Sequence, residues 1–208
     1  MLQILSASFL SLFGWHVDKT IPEDSKIIII GAPHTSNWDF PLTLLGLSAI
    51  GLRFSWIGKH TIFKGPLGFI FRKIGGIPVN RKARTNFIDE MVDAFSTRDR
   101  LKLAIAPEGT RSKKDHWKAG FYHIAVRANI KICLGYIDYP TKTIGLGPTL
   151  KPTRDIVADF EVIKTFYQGK SGKYPEKEST ICLREKEIAL FEKEYAKTSG
   201  EESNTPSA

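Results

Sequence analysis

Four consecutive isoleucines, Ile27 to Ile30, followed by Gly31-Ala32-Pro33, constrain this chain more than any other stretch. An unbroken β-branched run has no polar face to show to water. It suits a strand buried on both sides, as in a parallel sheet covered by helices. Pro33 ends the strand, because it cannot donate to a ladder and pushes its predecessor out of helical geometry. His34 therefore falls just past a strand end, where open α/β sheets place their ligands. Asp39 follows five residues later. Residues five apart on one helix point to different faces, so the two can meet only if the chain turns between them.

Strand and helix patterns alternate along the rest of the chain. Residues 1–15 form a helix with Leu2, Leu5, Phe9 and Leu12 on one side and Gln3, Ser6, Ser8 and Ser11 on the other. That helix fits a membrane interface or a packed core equally well. Phe40–Ile50 reads as a helix that tolerates Pro41 in its first turn, with Asp39 or Asn37 as its cap. Strands are expected at 53–57, 75–81, 101–106, 130–137 and 143–146, and helices at 85–95, 117–128, 155–167 and 182–197. The last residues, 198–208, lack apolar content and are expected to be disordered. The pattern predicts a single α/β domain over 21–197, with a central, largely parallel sheet flanked by helices and an N-terminal apolar helix over 1–20.

Charge is distributed unevenly. Between Phe40 and Ile88 there is no acid, while Arg53, Lys59, Lys64, Arg72, Lys73, Arg81, Lys82 and Arg84 supply eight cations, as many as the net charge of +8. Such a segment suits an anionic partner, whether phosphate groups, a membrane surface or nucleic acid, and it also fits a merely solubilising face. Its aromatics sit within aliphatic runs such as Leu67-Gly68-Phe69-Ile70-Phe71, which match no nucleic-acid motif; interleaved with Lys64, Arg72 and Lys73 they suit a membrane interface, and they also fit a packed core with a basic edge. The two cysteines, Cys133 and Cys182, provide neither a disulfide framework nor metal spacing, so a reducing compartment is expected. Residues 1–15 lack the features of a secretory signal and are shorter than the ~20 residues that span a bilayer.

Three polar clusters follow three strand patterns: His34…Asp39, Asn80-Arg81, and Glu108-Gly109-Thr110-Arg111. In a parallel sheet all three emerge at one end and can share a pocket. A neutral histidine can take a proton from a hydroxyl, and a carboxylate on its other nitrogen would fix the tautomer. The same spacing also fits a structural histidine beside a helix start. Arg111 suits phosphate oxygens bidentately, and Gly109 permits close backbone approach. Glu108 cannot bind phosphate directly and would orient Arg111 or the acceptor. The cluster also fits a capped turn with a surface ion pair. No Gly-x-Ser-x-Gly elbow is present, which favours direct attack over a covalent enzyme intermediate.

The blocks His34-Thr-Ser-Asn-Trp-Asp39, Gly75-Gly-Ile-Pro-Val-Asn-Arg81 and Ala106-Pro-Glu-Gly-Thr-Arg-Ser112 occur in this order. Together they resemble the first three motif blocks of the glycerolipid acyltransferase family, which includes 1-acylglycerol-3-phosphate acyltransferases. Trp117-Lys118-Ala119-Gly120 resembles the segment after the third block, and the resemblance runs from about Ile27 to Thr149. It implies an O-acyltransferase of α/β fold that moves a fatty acyl group from acyl-CoA or acyl carrier protein to a lyso-glycerolipid hydroxyl. It further implies His34 as base and Asp39 as its partner, with Asn80, Arg81, Glu108, Gly109, Thr110 and Arg111 lining the acceptor site. Lys59 and Lys64 would assist with phosphate. No metal or redox cofactor is expected. The partners would be a membrane lipid acceptor, the acyl donor and an anionic membrane surface, with no nucleic acid, at the cytoplasmic side of the membrane.

The chain departs from the family pattern in three places. Asn80 replaces the usual aspartate before Arg81, Ile132–Ile137 lacks the usual proline, and the N-terminal segment is short. These leave the acceptor open between lysophosphatidate, another lysophospholipid and an aminoacyl lyso-lipid. Two other classes also remain: a thioesterase-like hydrolase that uses water, and a basic lipid- or nucleic-acid-binding module.

Overall fold

The computed structural model describes residues 2–79 and 87–201. Seven strands form one sheet: β1 (His16–Val17), β2 (Lys26–Ala32), β3 (Ser55–Lys59), β4 (Gly76–Val79), β5 (Leu101–Ile105), β6 (Lys131–Asp138) and β7 (Thr143–Leu150). Their order is β1-β7-β6-β2-β5-β3-β4. Pairing is parallel except between β6 and β7, which form an antiparallel hairpin with an irregularity between Cys133 and Gly135. The isoleucine run is the central strand, and Ile27 to Ile30 are all buried. The expectation of a strand covered on both faces is met.

The helices are α1 (Leu2–Leu12), α2 (Asp39–Ala49), α3 (Gly68–Lys73), α4 (Phe87–Ser96), α5 (Gly120–Arg127), α6 (Ile156–Tyr167) and α7 (Glu185–Glu201). The connections β2-α2-β3 and β3-α3-β4 step along the sheet in one direction, and those through α4 and α5 step back. Right-handed crossovers therefore put α2 and α3 on one face and α4 and α5 on the other. Packing agrees with this assignment. Ile28, Ile30 and Leu103 pack with Met91, Phe95, Phe121 and Ile124, and α6 and α7 add Ile163 and Phe191. On the opposite face Ile27, Ile29 and Cys133 pack with Leu47 of α2.

α1 joins the α2 face through Leu10, which is 1% exposed and packs with Ile137, Ile144, Leu42 and Leu45. Its inward side is Ser6 and Leu10, whereas Leu2, Leu5, Phe9 and Leu12 point outward, Leu12 at 79% exposure. A helix folded only to fill a core would be turned the other way. On the same face Trp56 packs against Phe40 at 4.4 Å and meets Phe63 and Phe71, leaving Leu67, Phe69 and Ile70 exposed. The interleaved segment 65–74 is thus core on one side and open apolar surface on the other.

Three features depart from the sequence reading. The two-residue β1 is too short to leave a periodic signal. β7 extends to Leu150, where Gly145, Gly147 and Pro148 obscure the strand pattern. α7 continues through residues 198–201, for which the sequence predicts disorder.

Candidate active site

β2, β3, β4 and β5 are parallel, so the segments after them leave from one end of the sheet. The chain turns immediately after β2, through a cis Ala32–Pro33 bond, and Asp39 becomes the first residue of α2. Neither Asp39 nor Asn37 caps that helix. Trp38 occupies the cap position without a side-chain bond, because the Asp39 carboxylate is committed to the turn. Its Oδ2 accepts from the amides of Thr35 and Ser36, each at 2.9 Å, and lies 3.0 Å from Nδ1 of His34. Its Oδ1 accepts from the Tyr139 hydroxyl at 2.7 Å.

Burial works against charge on Asp39, but the bonds from His34, the Ser36 amide and Tyr139 outweigh it and hold the pKa below its ordinary value. An ionised carboxylate can only accept, so Nδ1 donates to it, and in the neutral ring the lone pair is left on Nε2. The imidazole is 23% exposed. A fixed tautomer with an open Nε2 is what a general base requires.

Glu108 occupies a different position from the one the sequence suggests. It follows β5, is 3% exposed, and its carboxyl accepts the backbone N–H of His34 at 2.9 and 3.1 Å. It positions the histidine turn and makes no bond to Arg111 or to an acceptor pocket. Burial pushes its pKa up to about 8, the His34 amide opposes this, and the charges of Asp39 and Glu178 add to the rise. The carboxyl is therefore mostly neutral near pH 7, which keeps a second charge away from the His34–Asp39 pair.

A cleft of about 420 Å³ lies against the turn that follows His34, which is not itself among the lining residues. Its walls are the turn Thr35–Trp38, then Arg111 and Ser112 from the loop after β5, and Tyr174 and Lys177 from the segment after α6. Gly109 takes a φ of +65° in that loop, and the Thr110 hydroxyl accepts the Ser112 amide at 3.3 Å. These two residues shape the loop that delivers Arg111. Lys59 ends β3 and Lys64 follows the single helical turn His60–Phe63 after it, at the same end of the sheet, but neither lines the cleft. Asn80 and Arg81 lie outside the described residues.

Sequence reasoning missed Tyr139, Tyr174 and Lys177. Tyr139 carried a usable signal: it follows β6, which runs parallel to β2, so the strand-end argument applies to it as well. It also meets Trp15 edge-on at 5.1 Å. Tyr174 and Lys177 follow a helix, and nothing local announces where their loop returns.

The family model described as Acyltransferase matches residues 15–140. Among solved structures, the 1-acyl-sn-glycerophosphate (LPA) acyltransferase PlsC from Thermotoga maritima aligns with 100% of this chain and 80% of its own, with a TM-score of 0.53 and 17% identity. At that identity the likeness establishes a shared fold. No curated protein matches the sequence.

Proposed function

We propose, from the premise that this chain belongs to the acyltransferase family, that it moves a fatty acyl group from a thioester to the hydroxyl of a lyso-glycerolipid. The observation that carries this reading is the His34–Asp39 pair, with Nδ1 bound to an ionised carboxylate and Nε2 free. Nε2 takes the proton of the acceptor hydroxyl as its oxygen attacks the thioester carbonyl carbon. The tetrahedral oxyanion collapses with cleavage of the C–S bond, and the imidazolium returns the proton to the departing sulfur. Asp39 stabilises the imidazolium while it exists. No metal, redox group or covalent enzyme intermediate is needed. The donor is acyl-CoA or acyl carrier protein, and the acceptor class is that of the structural relative, a 1-acylglycerophosphate.

The second part of the reading is location. No helix of the described residues is long and apolar enough to cross a membrane. The outward stripe of α1 and the exposed Leu67, Phe69 and Ile70 belong to helices on one face of the sheet, and Phe69 is 72% exposed. Arg72 and Lys73 adjoin that apolar surface. Such a face suits a membrane interface with anionic lipids, where the acceptor resides.

His34→Ala tests the chemistry. Thiol release from acyl-CoA in the presence of 1-acylglycerol-3-phosphate should fall by ~10²–10⁴-fold, the range for loss of a general base. Release at the wild-type rate would end the proposal. Thiol release that ignores the acceptor would mark a hydrolase instead.

A further inference from the structure

The segment 169–178, between α6 and α7, lies across the His34 turn as a strap. The Tyr174 amide donates to Oγ1 of Thr35 at 3.2 Å, the Ser171 amide to Asp138 at 2.9 Å, and the Tyr139 amide to the Ser171 carbonyl at 2.9 Å. Gly172 passes so close that a Cβ there would lie 2.6 Å from Oγ1 of Thr35. Glu178 closes the strap on itself by accepting from the Ser171 hydroxyl at 2.6 Å and the Gly172 amide at 2.8 Å. Its carboxylate is thereby turned inward.

What the strap presents outward is cationic. Lys177 ends a single helical turn, Pro175–Lys177, with Nζ 4.1 Å from the centre of the Tyr174 ring. Lys173 lies 5.7 Å from both the Tyr174 and Trp38 rings. Trp38, Lys173, Tyr174 and Lys177 thus alternate aromatic and cation along the cleft rim. The cleft itself is lined by two cations, Arg111 and Lys177, with Ser36, Asn37 and Ser112 between them and no carboxylate among its lining residues. A pocket of that composition is complementary to a phosphate, with a guanidinium on one wall and an ammonium held on an aromatic ring on the other.

We propose that the strap is a phosphate-recognition arm of the acyltransferase site, with Lys177 supplying the second cation of the cleft whose first is Arg111. The inference rests on the acyl-transfer reading for which substrate brings the phosphate, and not for whether the cleft binds one. Two substrates carry this chemistry, the acceptor's glycerophosphate and the donor's phosphopantetheine. One clamp serving either makes Lys177 a specificity residue, since removing it penalises only the phosphate-bearing member of a substrate pair.

The test is titration calorimetry on the full chain with four probes: hexanoyl-lysophosphatidate, hexanoylglycerol, CoA and pantetheine. Lys177→Ala, Lys177→Glu and Lys177→Arg are compared with wild type. Lys177 is exposed and makes no hydrogen bond through Nζ that holds the fold, so thermal melting of the variants should match wild type. Lys177→Ala should weaken one phosphate-bearing probe by about tenfold, the low end for a charge-assisted bond at a partly open site. Lys177→Glu should weaken it further, Lys177→Arg should restore it to within about threefold, and the phosphate-free partner should be unmoved. Loss for hexanoyl-lysophosphatidate assigns the clamp to the acceptor, and loss for CoA assigns it to the donor.

The proposal is overturned if Lys177→Glu binds both phosphate probes like wild type. It is equally overturned if wild type binds neither, or if the phosphate-free probes weaken in parallel. A chain that binds phosphate through Lys177 yet transfers no acyl group would refute the acyl-transfer reading and leave this one standing.

Discussion

Replacing Glu108 by glutamine isolates the energetic cost of a buried carboxyl beneath the His34 turn. Glutamine retains an oxygen that can accept the His34 amide, the bond that Glu108 makes at 2.9 and 3.1 Å, but it cannot ionise. Burial pushes the Glu108 pKa from 4.5 to about 8 in the folded protein. Between those values the native state keeps a proton that the unfolded chain has released. Stability therefore falls as pH rises through this window and levels off above it. Integrating the linkage relation gives a wild-type loss of ~3.5 kcal/mol between about pH 5 and about pH 8. Glu108→Gln lacks this loss, so its stability relative to wild type should climb by that amount across the same range. Any constant cost of the amide cancels in the slope. Urea unfolding followed by tryptophan fluorescence at unit pH steps measures the difference. A difference that stays constant within about 1 kcal/mol over this range would refute the neutral-carboxyl argument.

Tyr139→Phe removes the only described donor to Asp39 Oδ1, so it should cost ~1–2 kcal/mol of stability. It should also raise the Asp39 pKa, moving both the acid limb of the pH–rate profile and the acid unfolding midpoint to higher pH; unchanged midpoints would count against the bond. Gly172→Ala forces a Cβ onto Thr35 and should destabilise by ~1–3 kcal/mol while lowering turnover, read by thermal melting alongside thiol release. The double variant Leu12→Asp/Phe69→Asp should keep its melting temperature and lose partitioning into anionic vesicles by ~100-fold in a pelleting assay, from two exposed apolar side chains.

The parallel sheet was legible because Ile27–Ile30 is a continuous apolar run and Leu101–Ala106 is interrupted only by Lys102, a pattern that suits strands covered on both faces. The convergence of His34 and Glu108 followed from that topology alone. What topology could not convey is direction within the site. Glu108 turns toward the His34 amide and not toward Arg111, an outcome decided by packing at the strand end. The orientation of α1 was equally open, since its sequence offers an apolar stripe and Leu10 on different sides. Leu10 prevails because Ile137 and Ile144 leave a seat for it. Lys177 was invisible for a further reason: its place in the cleft depends on Gly172 and Tyr174 contacting Thr35, nearly 140 residues earlier in the chain.

The contact between Trp15 and Tyr139 has a practical side. β1 hydrogen-bonds into the β6–β7 hairpin through the amide of His16 on the Lys142 carbonyl, and Trp15 braces the ring whose hydroxyl holds Asp39. Anyone trimming residues 1–17 to obtain a better-behaved sample, on the view that a greasy leading helix is dispensable, would be loosening a strut of the proposed proton-transfer pair. Such a shortened protein would be the wrong reference for rates, inhibitor screens or pH profiles. A weak activity measured with it would describe a slackened Asp39 and say little about the intact enzyme.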